Sequence, residues 1–77
     1  MNRDVDQECV ERICAILRDE RIGQGISQQR LAELAGISRT GLRHIEALDA
    51  SPTLYNVLRI ARALQVDLSE ALGPAER

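Results

Sequence analysis

The sequence contains no phenylalanine, no tryptophan and a single tyrosine, Tyr55. Proteins that bind single-stranded nucleic acid stack the bases on several aromatic side chains, so this class is disfavoured. The many leucine, isoleucine, alanine and arginine residues favour helices over strands. A chain of 77 residues has room for one small hydrophobic core, and we assign residues 1–77 to a single domain.

Residues that hold metals are also scarce. Cys9 and Cys14 lie on one predicted helix with their side chains diverging, and His44 is the one histidine. This set does not form a zinc pattern, so we expect two free thiols, no metal and no cofactor. The sequence also lacks a glycine-rich phosphate loop, which argues against an enzyme.

Long apolar runs are absent as well. No run approaches the roughly 18 residues of a membrane span. Residues 1–13 are acidic and lack the basic-then-apolar order of a signal peptide. We therefore expect a cytoplasmic protein.

The charge is unevenly distributed along the chain. The net charge of −2 argues weakly against a nucleic-acid partner, but it divides into −3 for residues 1–20, +2 for residues 21–46 and −1 for residues 47–77. All ten basic side chains are arginine, which suits two-pronged hydrogen bonding, although the favoured alternative is that it reflects a GC-rich genome. The positive middle segment is the part of the chain that suits a polyanion.

Apolar periodicity predicts an all-α fold, a compact five-helix bundle. Ser27 and Ser38 are predicted N-caps, and Gly36 is predicted to end one helix before the next begins. Ser51 and Pro52 are predicted to start the fourth helix. The predicted helices cover about residues 6–21, 27–35, 38–48, 52–65 and 67–72.

Each predicted helix has an apolar stripe that we assign to the core. In the first helix the stripe is Val10, Ile13, Cys14 and Leu17. In the second and third helices the inward residues are Leu31, Ala32, Ala35, Leu42 and Ile45, with Leu48 as a further candidate. In the fourth they are Leu54, Val57, Leu58, Ala61 and Leu64.

The third predicted helix has a basic outer face. With Leu42 and Ile45 inside, Thr40, Arg43 and His44 point outward, and Arg39 lies at the N-terminal flank. A solvated face usually mixes charges of both signs, although an ordinary basic surface is the alternative. A helix about 10–12 Å across fits the major groove of DNA, and arginine can donate two hydrogen bonds to guanine.

Several short motifs occur together in this region, and their combination resembles the helix-turn-helix of the Cro and phage-repressor family, the XRE type. The resemblance covers roughly residues 10–72. The motifs are S-Q-x-x-L-A at 27–32, G-I-S at 36–38, I-E at 45–46, and S-P-T-L-x-x-V-L-x-I-A-x-A-L-x-V at 51–66.

The resemblance implies roles for individual residues. Glu46 corresponds to a glutamate that forms a structural ion pair with an arginine of the first helix, which we expect to be Arg18. Base edges would be read by Arg39, Thr40, Arg43 and His44, and the DNA backbone would be contacted by Ser27, Gln28, Gln29 and Ser38.

Three features depart from the family pattern. The segment I-G-Q before Ser27 predicts a longer first helix or loop. Asp49 follows the third helix, where the family commonly has basic residues, and would repel a phosphate. Gly41 lies inside the third helix at a cost of about 1 kcal/mol relative to alanine.

Members of this family commonly bind DNA as dimers on two half-sites. A small core gains from association, so we expect a homodimer. The alternative is that the apolar residues outside the main stripes complete the core of the monomer. The predicted dimer interface consists of Tyr55, Ile60, Ala63, Leu68 and Leu72.

These patterns predict a sequence-specific, double-stranded DNA-binding transcriptional regulator. Its small size resembles phage repressors or the controller proteins of restriction–modification systems. The alternative is an antitoxin-like module whose main partner is a toxin, which the acidic first 20 residues motivate.

Overall fold

The computed structural model describes residues 4–71, and side chains within residues 4–69. The described chain is helical, and no strand occurs between residues 4 and 71. Its four helices are α1 (Val5–Gly23), α2 (Gln28–Ala35), α3 (Arg39–Glu46) and α4 (Leu54–Leu64).

A single helical turn, Leu68–Ala71, follows α4 at the end of the described residues. The predicted all-α fold is thus confirmed, but a fifth full helix is not supported. Leu72, assigned to both that helix and the dimer interface, lies outside the described residues.

Most helix starts follow local capping chemistry. The hydroxyls of Ser27 and Ser38 accept hydrogen bonds from the amides three residues ahead, as predicted for N-caps. The start of α4 differs from the prediction, because Thr53 is the N-cap and accepts from the amide of Asn56 at 3.0 Å. Ser51 and Pro52 precede the helix.

The turn between α2 and α3 depends on Gly36. This residue has φ 72° and ψ 33°, the left-handed region where a side chain is disfavoured. The amide of Ile37 donates back to the carbonyl of Ala32 at 3.0 Å, which closes the end of α2. Ser38, two residues later, is the N-cap of α3, so the link between the two helices is very short. At its other end α3 stops at Glu46, two residues before the predicted end at Leu48, which has φ 63° and is 42% exposed.

The core lies where α2 packs against α3 and α4, and α1 covers the same two helices. Leu31 of α2 is fully buried at its centre. Val10 and Ile13, which were predicted to face inward, pack half-buried at the edge of the core. The buried apolar side chains are Cys14, Leu17, Leu31, Ala32, Ala35, Leu42, Ile45, Ile60, Ala61 and Leu64.

The apolar stripe of α4 is rotated from the predicted one. Leu54 and Leu58 were assigned to the core, yet they are 73% and 44% exposed. Ile60, assigned to the dimer interface, is 1% exposed and lies in the core. The buried residues Ile60, Ala61 and Leu64 define the inward direction of α4, and at about 100° per residue Leu58 points about 110° away from it.

The segment I-G-Q lengthens α1, one of the two outcomes predicted for it. The helix continues to Gly23, and the side-chain amide of Gln24 donates to the carbonyl of Leu64 at 2.8 Å. This bond ties the end of α1 to the end of α4. No helix within residues 4–71 is both long and apolar enough to span a bilayer.

Candidate nucleic-acid interface

The outer face of α3 consists of the four predicted base-reading residues. Leu42 and Ile45 are 1% and 5% exposed, because they pack into the core. The helical period then turns the opposite side of α3 outward. All four predicted base-reading side chains are exposed together on this face: Arg39, Thr40, Arg43 and His44.

The N-terminus of α2 offers groups suited to an anion. Ser27 accepts from the amide of Arg30 at 3.0 Å, which leaves its own O–H free to donate. The first amides of a helix have no partner within the helix, and the helix dipole favours negative charge there. Gln29 is exposed beside them. At the start of α3, Ser38 has the same arrangement and accepts from the amide of Gly41 at 2.9 Å.

Glu46 forms the ion pair expected of it, but with a different partner. Its carboxylate accepts from Arg21 through two bonds, Nε to Oε2 at 2.7 Å and Nη2 to Oε1 at 3.0 Å. Arg18, the predicted partner, pairs instead with its neighbour Asp19 at 3.1 Å on the surface. The reason is helical phase: Arg21 lies four residues after the buried Leu17, on the same face of α1, whereas Arg18 is turned away.

The same carboxylate also holds Gln28. The side-chain amide of Gln28 donates to Oε1 of Glu46 at 3.0 Å, and Arg21 donates through Nη1 to the carbonyl of Ile26 at 2.7 Å. This set of contacts, the Arg21–Glu46 network, links the end of α1, the start of α2 and the end of α3. Nε2 of Gln28 keeps a second hydrogen, so it can still donate to a phosphate.

Asp49 lies beside one of the predicted base-reading residues. Its carboxylate is 3.6 Å from Nδ1 of His44, and both side chains are more than half exposed. Asp49, the acid that departs from the family pattern, is therefore an exposed neighbour of His44. It is not part of the buried network.

These features form the geometry of a helix-turn-helix. Two short helices, α2 and α3, are joined at Gly36, and one helix presents a basic outer face while the other presents its N-terminus. A family model described as helix-turn-helix matches residues 17–70, which is more than half of the chain. The chain belongs to the XRE-type helix-turn-helix family.

One curated relative of this helix-turn-helix chain is the HTH-type transcriptional regulator SutR of Escherichia coli (strain K12). The two sequences are 37% identical over 60 residues, which cover 78% of this chain and 34% of that regulator. The chain therefore spans about a third of the length of the relative it matches. The resemblance to restriction–modification controllers in particular remains a prediction.

The predicted dimer residues of this helix-turn-helix chain do not form one surface patch. Ile60 lies inside the core, while Ala63 and Leu68 are half-buried and pack against it. For Ile60 the alternative, completion of the monomer core, is the correct one. Tyr55 is 64% exposed.

Three of the exposed apolar side chains, Leu34, Tyr55 and Leu58, lie along an open groove between α2 and α4. We call this the α2–α4 groove, and its volume is about 300 Å³. Leu34 and Leu58, at its walls, are 47% and 44% exposed. The groove is lined by Leu34, Ala35, Tyr55, Leu58, Arg59, Arg62 and Ala63.

Sequence reasoning missed Arg59, which lies in this groove and contacts the turn of the helix-turn-helix. Its Nε donates to the carbonyl of Ala35, the last residue of α2. The sequence signal for Arg59 was weak, because 24 residues separate the two partners. Among the described residues no group of three or more metal-binding side chains occurs.

Proposed function

We propose that this chain regulates transcription by binding a specific double-stranded DNA sequence as a homodimer, with α3 in the major groove. The observation that carries the proposal is the outer face of α3, where Arg39, Thr40, Arg43 and His44 are exposed together. A helix of this diameter fits the major groove. Arginine can bind guanine through two hydrogen bonds, and threonine can place its methyl group against that of thymine.

Contacts to the DNA backbone would set the position of α3. Ser27, Gln28 and Gln29 lie at the N-terminus of α2, where amides and the helix dipole attract phosphate. The Arg21–Glu46 network neutralises the acid nearest the C-terminus of α3. The interface therefore remains basic although the whole chain carries a charge of −2.

The α2–α4 groove supports the homodimer. Its exposed apolar walls, Leu34 and Leu58, are the kind of surface that pairs with a second copy across a two-fold axis. Two copies of α3 would then read two half-sites about one helical turn apart.

The experiment is selection of a binding site from random duplex DNA, followed by affinity measurements with variants. The double variant Arg39→Ala/Arg43→Ala removes two guanidinium groups from α3, and we expect it to lose at least about 100-fold in affinity for the selected duplex. The control, Arg12→Ala/Arg18→Ala, removes the same charge from α1. A double variant of α3 that folds and binds as tightly as the wild type would refute the assignment.

A second candidate function is an antitoxin-like module that binds a toxin. The α2–α4 groove favours it, because an apolar groove beside Arg59 and Arg62 would also suit an acidic, apolar segment of a partner. The two functions are distinguished by the selection itself. A wild-type chain that enriches no duplex at low ionic strength, yet captures a toxin encoded beside its gene, would favour the second candidate.

A further inference from the structure

Arg59 joins α4 to the turn between α2 and α3. Its Nε donates to the carbonyl of Ala35, one of the carbonyls that a helix end leaves without a partner inside the helix. A charged donor makes this bond stronger than a bond between neutral groups. The bond bridges 24 residues of chain, so it fixes one helix relative to another.

The guanidinium also occupies the space beside Gly36. A Cβ atom built on Gly36 would collide with Nη2 of Arg59. The positive φ favours glycine at this position, and any side chain there would also displace the guanidinium of Arg59.

Tyr55 holds the other side of the guanidinium. Nη1 of Arg59 donates to the hydroxyl of Tyr55 at 3.0 Å, and the guanidinium carbon lies 5.3 Å from the centre of the tyrosine ring. Both contacts orient the guanidinium toward the turn. We call the contacts of Arg59 with Ala35, Gly36 and Tyr55 the Arg59 clamp.

We propose that Arg59 is a positioning residue that sets the orientation of α3 relative to α2 and thereby the base specificity of the interface. The inference rests on the proposed function. Ser38 starts α3 two residues after Gly36, so a rotation at the turn moves the whole recognition helix. Over the roughly 12 Å length of α3, a rotation of about 15° displaces its far end by about 3 Å.

Such a displacement affects the two kinds of DNA contact differently. Two-pronged hydrogen bonds to a base edge require close alignment, and losing one good pair reduces discrimination about tenfold or more. Contacts to phosphates carry no sequence information and depend mainly on charge. Loss of the clamp should therefore lower specific affinity while leaving non-specific affinity nearly unchanged.

The experiment compares the wild type with Arg59→Ala, Arg59→Lys and the control Arg12→Ala. Arg59→Lys keeps the charge but loses the planar fork that meets several partners. For each protein, dissociation constants are measured for a single half-site of the selected sequence and for a scrambled duplex of equal length, so that a change in dimerisation through the same groove does not enter the comparison. We expect both Arg59 variants to lose about tenfold in the ratio of the two constants, and Arg12→Ala to keep the wild-type ratio.

A readout in the free protein separates this proposal from the proposed function. The Nε proton of Arg59 should exchange with solvent more slowly than that of Arg12. In Arg59→Lys, amide chemical shifts should change from Gly36 through α3, whereas in Arg12→Ala the changes should stay within α1. This readout requires no DNA, so it decides on the clamp even if the wild type binds no duplex.

Several results would overturn the proposal. One is an unprotected Nε proton on Arg59, and another is a set of shift changes in Arg59→Lys that does not reach α3. If Arg59→Lys keeps the wild-type specificity ratio, Arg59 contributes only its charge and does not position α3. If Arg59→Ala does not fold, the specificity ratio and the shift changes of Arg59→Lys decide between these outcomes.

Discussion

Glu46 is a buried acid whose hydrogen bonds link three helices. Its side chain is 6% exposed and that of Arg21 is 13% exposed, so water compensates neither charge well. Replacing Glu46→Gln leaves the guanidinium of Arg21 buried without a counter-charge. We expect a loss of about 3 kcal/mol in the free energy of unfolding, and a fall of more than about 10 °C in melting temperature.

The control for this prediction is the surface pair of Arg18 and Asp19. Asp19→Asn removes an exposed ion pair and should cost less than about 1 kcal/mol. Urea denaturation of both variants measures the difference. Equal losses would mean that the Arg21–Glu46 network adds no more stability than a surface pair.

The two cysteines should react differently. Cys14 is 2% exposed, and burial, followed by the nearby charge of Glu11, raises the pKa of its thiol, whereas Cys9 is half-buried at the surface. Iodoacetamide at neutral pH should modify Cys9 first and Cys14 at least about 100-fold more slowly, since the thiol of Cys14 becomes accessible only when the protein unfolds locally. Mass spectrometry of the native chain and of Cys9→Ser measures both rates. Similar rates at the two thiols would contradict this assignment.

The raised pKa of the Cys14 thiol also predicts a pH dependence. The folded thiol holds its proton more tightly than the unfolded thiol, which ionises at about pH 8.5. The free energy of unfolding should therefore fall as pH rises from about 8.5 toward the raised pKa. Below that range the thiol is protonated in both states, so Cys14 causes no change of the free energy of unfolding with pH. Urea denaturation between pH 7 and 10 should show this fall in the wild type and a smaller one in Cys14→Ala.

At the scale of an element, the start of α3 explains why Gly41 is a glycine. A Cβ atom on Gly41 would lie 2.9 Å from Oγ of Ser38, the hydroxyl that caps the helix. In Gly41→Ala the gain of about 1 kcal/mol in helix propensity should be offset by the disturbed cap, leaving stability within about 0.5 kcal/mol of the wild type.

A double-mutant cycle checks this explanation. In a Ser38→Ala background the cap is already absent, so Gly41→Ala should there stabilise the protein by about 1 kcal/mol. Thermal unfolding of the four proteins provides the values. If alanine stabilises both backgrounds equally, the contact with Ser38 does not explain the glycine.

Elements were predictable from the sequence where their signals are local. Ser27 and Ser38 cap α2 and α3 through amides three residues away, and Gly36 supplies a positive φ at one position. The start of α4 was less predictable, because serine and threonine are both good caps and Ser51 and Thr53 lie two residues apart. The inward face of α4 was misplaced for a related reason, since its apolar residues extend around more than half of the helix.

At the scale of the whole molecule, the proposed homodimer can be tested at the α2–α4 groove. Leu58→Glu places a charge on the wall of the groove, and we expect at least about a tenfold weaker dimer, with cooperative binding to paired half-sites lost. Leu54→Glu is the matched control, because Leu54 is 73% exposed and lies outside the groove lining. Sedimentation velocity over a range of concentrations measures both. A variant at Leu58 that dimerises like the wild type would exclude this groove as the interface.

The order of residues along the chain was enough to define the helical class, the starts of α2 and α3 and the outward set of Arg39, Thr40, Arg43 and His44. These features follow from capping over three residues and from the helical period, which act within one segment. Three features came from the folded structure alone: Glu46 pairs with Arg21, Arg59 contacts Ala35, and Ile60 is buried. Each of these depends on how the helices are rotated against one another, because the packing of the core sets which distant side chains meet.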